Sequence, residues 1–232
     1  MKFEPYKISG IDSLSENVRA LSLSPKSGGL PAYLPGQFFL LRLPDASGKQ
    51  IFRSYSIASS PGEPHLVFCI KRKGAFTALL WQLKDGDGID ADGPYGNFTL
   101  TPSDTTRAFI GAGVGASPFR SMVLQSIKDG ITVSFFQSSR EFSGLLFFKE
   151  LNALAASNPS FKFIPTITCE NKPAEWKGMC GRISAQTVAQ HCGDLSNISF
   201  YICGSKEMVA QLAEGLIAKG AKKEKIKSEG WG

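Results

Sequence analysis

Apolar and polar positions alternate in short runs through the first hundred residues, at 6–11, 18–23, 37–43, 53–58 and 66–71. A period of two sends successive side chains to opposite faces, so each run predicts a β-strand with one buried face. Breaker-rich segments such as Ser27-Gly28-Gly29 and Pro44-Asp45-Ala46-Ser47-Gly48 separate the runs. Short strands so spaced predict a small antiparallel β-barrel. A short helix is expected over 76–83, then a tight turn at 85–88 and a loop over 92–98. Beyond Thr101-Pro102-Ser103-Asp104 the period changes. Strands at 107–110, 131–136, 161–168 and 199–203 alternate with helices at 118–128, 145–156, 185–191 and 206–219. That alternation predicts a parallel sheet with helices on both faces. The chain is therefore expected to form two domains, an amino-terminal antiparallel β-barrel over 1–102 and a carboxyl-terminal α/β domain over 103–232.

Composition leaves this picture in place. The 232 residues are 42% hydrophobic and 20% charged, enough to fill two modest cores. No run approaches the ~18 apolar residues of a membrane span, and Met1-Lys2-Phe3-Glu4-Pro5-Tyr6-Lys7 lacks the apolar stretch of a secretory leader. A cytoplasmic location is expected. The five cysteines, Cys69, Cys169, Cys180, Cys192 and Cys203, show no C-x-x-C spacing, and His65 and His191 stand far apart, so no metal site or iron–sulfur cluster is expected.

Charge narrows the partners. A net +6 suits nucleic acid, anionic cofactors or an acidic protein. The lysines are not tiled among aromatics, which argues against nucleic acid. They gather at Lys71-Arg72-Lys73 and at Lys219, Lys222, Lys223, Lys225 and Lys227. The second group would also complement a helix carboxyl end.

Five stretches carry candidate chemistry. In Ile51-Phe52-Arg53-Ser54-Tyr55-Ser56 an extended strand puts Arg53 and Tyr55 on one face, a fixed cation beside a flat ring. Such a pair suits a phosphate and a planar ring together, although any half-exposed barrel strand alternates likewise. Ser54 and Ser56 fall on the other face or along the backbone, with hydroxyls that donate or accept. Gly74-Ala75-Phe76-Thr77 joins a strand to a helix; alone it reads as a glycine turn with Thr77 as helix cap, and beside Arg53 as an anion cradle for phosphate. The turn Gly111-Ala112-Gly113-Val114-Gly115-Ala116-Ser117-Pro118 has G-x-G-x-x-A spacing, which lets backbone approach a diphosphate, with Pro118 opening the next helix. The acidic residue of a dinucleotide fingerprint is missing, because Phe136 is followed by Gln137-Ser138-Ser139-Arg140. Cys203-Gly204-Ser205-Lys206-Glu207-Met208 ends a strand at the same sheet edge, where Cys203 alone reads as a small buried hydrophobe. Glu229-Gly230-Trp231-Gly232 closes the sequence with a tryptophan able to pin a loose end.

Taken in order from Tyr6 to Trp231, these stretches resemble the ferredoxin–NADP reductase superfamily. Arg53-Ser54-Tyr55-Ser56 resembles its R-x-Y-[ST] flavin motif, and Gly36-Gln37-Phe38 the strand before it. Residues 74–77 resemble its G-x-x-[ST] segment, 111–118 its G-x-G-[VI]-x-x-[ST]-P nicotinamide motif, 203–208 its C-G-[PS]-x-x-M segment and Glu229-Gly230-Trp231 its terminal glutamate–x–aromatic. The resemblance implies a barrel that binds FAD, with FMN as the alternative, and an α/β domain that binds NADH or NADPH as hydride donor. It gives Arg53 the flavin diphosphate, places Ser56, Cys203 and Glu229 around flavin N5 and nicotinamide C4, and lays Trp231 over the flavin face that nicotinamide must reach. Many NADPH-selective relatives carry an arginine after the third strand of this domain, where this chain has Thr168-Cys169-Glu170. The run Thr168…Pro173…Trp176…Gly178…Gly181-Arg182-Ile183 resembles NADH-using reductases, including the cytochrome b5 reductase type. NADH is therefore expected, with Ser139 and Arg140 still able to meet a phosphate.

The implied activity is hydride transfer from NAD(P)H to flavin and onward electron transfer to an acidic protein, whether ferredoxin, flavodoxin or cytochrome. A free-flavin or ferric reductase is one alternative. A non-catalytic nucleotide-sensing subunit is the other.

Overall fold

Two sheets organise the chain. In the computed structural model, which describes residues 1–168, 174 and 176–231, the chain divides into the units Met1–Thr99 and Leu100–Gly232. The junction precedes residues 102–104, where the sequence places it.

The first unit holds strands β1 (Glu4–Ser15), β2 (Val18–Pro25), β3 (Phe38–Pro44), β4 (Gln50–Ser56), β5 (Leu66–Lys71) and β6 (Gly88–Tyr95), with helix α1 (Ala75–Leu80) between the last two. The strands form one antiparallel sheet in the order β4-β3-β6-β1-β2-β5. A bridge from Ile57 to Phe68 joins the end of β4 to β5, so the two outer strands meet and the sheet curls into the expected barrel. Alternation does what it predicts: Phe39, Leu41 and Leu43 of β3 point inward with Leu21, Leu23, Leu66, Phe68 and Ile70. Phe39 meets Tyr6 and Phe68 edge to face, with ring centroids 6.3 and 6.0 Å apart.

Two expectations need correction here. The stretch 92–98 is not all loop, because β6 continues to Tyr95 and pairs Asp92 with Leu40 and Tyr95 with Phe38. Its glycine and proline disguise the strand, but Gly93 is there for packing: a Cβ would stand 2.7 Å from the Phe39 ring. Helix α1 ends at Leu80 rather than at Leu83.

The second unit holds β7 (Thr106–Ala112), α2 (Ser117–Lys128), β8 (Thr132–Ser139), α3 (Phe148–Ser157), β9 (Phe161–Ile167), β10 (Met179–Cys180), α4 (Ala185–Cys192), β11 (Ser199–Ser205), α5 (Lys206–Ala218) and β12 (Ile226–Trp231). All pairs are parallel, in the order β10-β9-β8-β7-β11-β12. Both faces of the central strands are buried. On one, the rings of Phe109, Phe119, Phe135 and Tyr201 pack with neighbouring centroids 5.3–5.6 Å apart. On the other, Ala108, Ile110, Phe136, Phe200 and Ile202 pack with Val188 of α4 and Leu212 and Leu216 of α5. Among the described residues no helix is long and apolar enough to cross a membrane.

A buried polar clasp fastens the start of this unit to its sheet. The Asp104 carboxylate accepts from Ser199 Oγ at 2.5 Å, from the Tyr201 hydroxyl at 2.6 Å and from Arg107 Nε at 3.3 Å. Arg107, only 2% exposed, also donates to Ser126 Oγ at 2.9 Å and to the Thr101 carbonyl at 3.0 Å. Thr101 N–H in turn donates to the Tyr201 oxygen at 2.9 Å. Taking a guanidinium out of water costs several kcal/mol, and only such saturation of its donors offsets that.

Asp104→Ala should therefore cost about 3 kcal/mol of stability in the second unit, because it leaves the buried cation only the half-exposed Asp129 carboxylate, 3.6 Å from its Nη1. Denaturant unfolding followed by circular dichroism measures this. A loss below about 1 kcal/mol, typical of an exposed pair, would refute the clasp.

Candidate functional site

In the first unit the candidate chemistry gathers on β4. Its register with β3 sets Arg53 opposite Leu41 and Tyr55 opposite Phe39, with Ser54 and Ser56 on the alternate positions opposite Leu40 and Phe38. Arg53 and Tyr55 converge on one buried ring, that of Phe76. The Tyr55 ring stacks on it at 6.3 Å with planes 23° apart, and the Arg53 guanidinium lies 5.9 Å from its centroid. Burial pushes the Tyr55 phenol up to about 12, with the Arg53 charge pulling the other way, so the hydroxyl stays protonated at neutral pH. Arg53 itself is exposed and donates to the Phe52 carbonyl at 2.7 Å, and among the described residues no carboxylate pairs with it.

Gly74 enters α1 at φ +88°, a conformation in which other residues are strained. Thr77 is not the helix cap. It is the third helical residue, and its hydroxyl accepts from Lys73 N–H at 2.7 Å and donates to the Gly74 carbonyl at 3.0 Å, which closes the turn. Gly74 and Ala75 are exposed, whereas Phe76 and Thr77 are buried.

In the second unit the candidates collect at the carboxyl edge of the parallel sheet. The backbone of Gly111 and Gly115 runs too close to its neighbours for a side chain. A Cβ on Gly111 would stand 2.9 Å from Ala116 Cα, and one on Gly115 would stand 2.5 Å from Trp231 Cη2 and 2.7 Å from the Cys203 carbonyl. Gly113 adopts φ +54° and faces open space. Val114 contributes its carbonyl, which accepts from Ser117 Oγ at 2.7 Å, and Pro118 sits in the first turn of α2.

Strand register lines Gly111, Cys203 and Glu229 in one row across β7, β11 and β12, and pairs Ser205 with Trp231. The sequence reads the carboxyl end as a tail, yet it is the sixth strand. Burial, with the neighbouring Glu229 charge, pushes the Cys203 thiol up to about 12. Burial also raises the Glu229 carboxyl above the ordinary glutamate range. A thiol raised so far stays protonated at neutral pH, so Cys203 is a small, neutral wall rather than a nucleophile.

Beside this row a cavity of about 760 Å³ opens, reaching from Gly113 and Ser205 past Ser139 and Arg140 to Thr168 and Arg182. It unites Gly113, Ser139, Arg140 and Met208 of the residues expected at the nucleotide. Gly204 supports Met208, whose Sδ would meet a Cβ there at 2.8 Å. Gly111, Gly115, Cys203, Glu229 and Trp231 form the neighbouring row instead. Two serines on the cavity wall have a capping role that the sequence reading did not assign: Ser184 and Ser205 cap α4 and α5, accepting from Thr187 N–H at 3.1 Å and Met208 N–H at 3.3 Å. A serine one residue ahead of an apolar helical period was the available signal. Cys169, Glu170 and Pro173, used in reading nucleotide preference, lie outside the described residues.

Comparison with known proteins places both units. An oxidoreductase FAD-binding domain matches residues 5–100, and an oxidoreductase NAD-binding domain matches residues 109–214. The reductase component DmpP of phenol 2-monooxygenase from a Pseudomonas species is 30% identical over 209 residues, covering 87% of this chain and 58% of that one. Sulfhydrogenase 1 subunit gamma of Pyrococcus furiosus is 32% identical over 205 residues, covering 84% of this chain and 66% of that one. The chain thus spans about half to two thirds of the curated relatives it matches. Among solved structures, a ferredoxin NADP+ reductase of Neisseria gonorrhoeae with bound FAD and NADP superposes with a TM-score of 0.83 at 25% identity, covering 99% of both chains. The FAD/NAD-binding domain of a nitric oxide dioxygenase of Vibrio cholerae shares the fold, with a TM-score of 0.90 at 21% identity over 99% of this chain and 98% of that one.

The buried thiol makes a direct prediction. At pH 8 a thiol of pKa about 12 is ionised in roughly one molecule in ten thousand. Iodoacetamide should therefore leave Cys203 unmodified in the native protein while reaching the exposed Cys180. Peptide mass spectrometry reads both sites, and rapid native labelling of Cys203 would contradict the neutral row.

Proposed function

Because the chain belongs to the ferredoxin–NADP reductase superfamily, with an FAD-binding and an NAD-binding oxidoreductase domain, we propose that it is a flavin-dependent NAD(P)H oxidoreductase that reduces bound FAD with NAD(P)H and passes the electrons to a separate acidic protein of ferredoxin, flavodoxin or cytochrome type. The observation that carries the reading is Arg53, a guanidinium without a carboxylate partner among the described residues, held beside two stacked rings on an exposed strand. That donor set fits a flavin nucleotide, which presents a diphosphate and a planar ring at once. Bound there, FAD supplies a centre that takes two electrons together as hydride and releases them one at a time.

The protein's residues do the holding. Arg53 would neutralise the diphosphate, with the exposed backbone of Gly74 and Ala75 as further donors and Phe76 and Thr77 fixing the turn. Tyr55, kept protonated, would offer its ring face, and the hydroxyls of Ser54 and Ser56 would take the polar edge of the flavin. On the second unit, Gly111, Gly113, Val114 and Gly115 would let the nicotinamide nucleotide lie against bare backbone, with Pro118 starting α2 at no cost in hydrogen bonds. Ser139, Arg140, Gly204 and Met208 would line its adenosine half. Cys203, kept protonated, and Glu229, whose carboxyl burial raises, would wall the nicotinamide end and exclude water. The Trp231 indole, packed on Gly115, would have to swing aside for the nicotinamide ring. Lys71, Arg72 and Lys73, all exposed, offer an acidic acceptor a basic rim.

The deciding experiment is an absorption spectrum of the purified protein followed by anaerobic titration with NADH and NADPH. A yellow protein bleached by stoichiometric nucleotide is expected, and Arg53→Ala should weaken FAD retention about tenfold or more. A folded protein that stays colourless and refuses added FAD would overturn the proposal. Reduction of the acceptor should slow steeply as salt rises through about 0.1 M, and salt-independent rates would remove the acidic partner.

A further inference from the structure

Phe76 serves two parts of the first unit at once. It is 5% exposed and belongs to the buried apolar cluster that makes up the barrel core. The same ring also meets the site, with Tyr55 stacked on it at 6.3 Å and the Arg53 guanidinium 5.9 Å from its centroid. Arg53 and Tyr55 stand two residues apart on one face of β4, and this single ring reaches both.

The helix that carries the ring is fixed at both ends. At its start, Thr77 Oγ1 accepts from Lys73 N–H at 2.7 Å and donates to the Gly74 carbonyl at 3.0 Å. Past its end, the Arg19 guanidinium from β2 lies 4.9 Å from the Trp81 ring centroid and donates to the Trp81 carbonyl at 3.1 Å. A shift of α1 along the barrel would break one of these contacts, so β4 meets a flat face that stays in place.

Arg53 is the opposite kind of side chain, long, exposed and rich in rotamers. A ligand that uses it must arrest that freedom, and affinity rises when the protein has restricted it beforehand. Two contacts do so here. One arm of the guanidinium donates to the Phe52 carbonyl at 2.7 Å, and the Phe76 ring attracts the cation. An aliphatic residue of similar bulk would still fill the core. It would offer no π-face to the cation and no stacking partner to the phenol.

We propose that Phe76 is a positioning residue of the flavin site, its ring holding Arg53 and Tyr55 in the arrangement that FAD meets. The grip on the diphosphate and the grip on the flavin ring are thereby coupled through one side chain. This rests on β4 being the flavin site.

Serial dilution of the FAD-loaded full chain, read by the rise in flavin fluorescence on release, measures the affinity. Phe76→Leu should weaken FAD binding about tenfold, the combined loss of a cation–π contact and a ring stack. Phe76→Met, a second apolar residue of similar bulk, should do the same. In an Arg53→Gln background Phe76→Leu should cost only about threefold, because the part that acts through the cation is already gone. A general loosening of the barrel would instead cost the same factor in both backgrounds. Equal factors, or leucine and methionine variants that hold FAD as the unmutated chain does, would overturn the positioning role and leave the flavin reading standing. An unmutated chain that takes up no FAD would overturn both.

Discussion

The carboxyl edge of the second sheet depends on a steric constraint at Gly115, where the backbone passes within a side chain's reach of both the Cys203 carbonyl and the Trp231 indole. A methyl group there would push the glycine turn off β11 and the indole off the turn together. The same absence of a side chain is what the proposed nucleotide site would need, so packing and the proposed binding make one demand on the sequence. Strand β12 exists within this constraint. Its register against β11 fixes Glu229 beside Cys203 and Trp231 beside Ser205, and thereby sets which groups border the turn.

Burial then chooses protonation states along that row. A thiol and a carboxyl placed side by side out of water would repel if both ionised, and both shift toward neutrality. Tyr55 in the first unit follows the same rule against the pull of a nearby arginine. Within each unit, then, desolvation pushes the buried acids of the proposed binding residues toward their protonated forms, which suits side chains that hold and position a cofactor and leave the electron chemistry to it.

Much of this was legible in the sequence, and the parts that were not have identifiable causes. Strands with a clean period of two, such as β2, β3 and β5, and helices with a clean apolar face, such as α2 and α5, follow directly from pattern. Strand β6 was half hidden because Gly93 and Pro94 look like loop residues, although Gly93 is there to admit the Phe39 ring. Strand β12 was hidden because Lys227, Ser228 and Glu229 carry no apolar period; parallel pairing to β11, not burial of alternate side chains, holds it in place. Arg182 could be read only as part of a run, since its position comes from hydrogen bonds at Gly181 that no local pattern encodes.

The arginines show how a structural cation differs from one kept for a ligand. Arg107 is buried, and every direction of its guanidinium meets an oxygen, because an unsaturated cation out of water would cost more than the fold can offset. Arg120 is similarly taken up by a two-pronged pair with Glu150, at 2.8 and 2.7 Å. Arg53, Arg140 and Arg182 have no carboxylate partner among the described residues, and each stands where a ring or a cavity leaves room for a phosphate. A guanidinium so placed keeps its fork of donors open, and a phosphate would meet it through charge-assisted bonds stronger than those of a screened surface ion pair. That contrast, between donors saturated by the fold and donors left facing a ring or a cavity, is the physical ground of the nucleotide reading in a basic chain whose net charge alone says little.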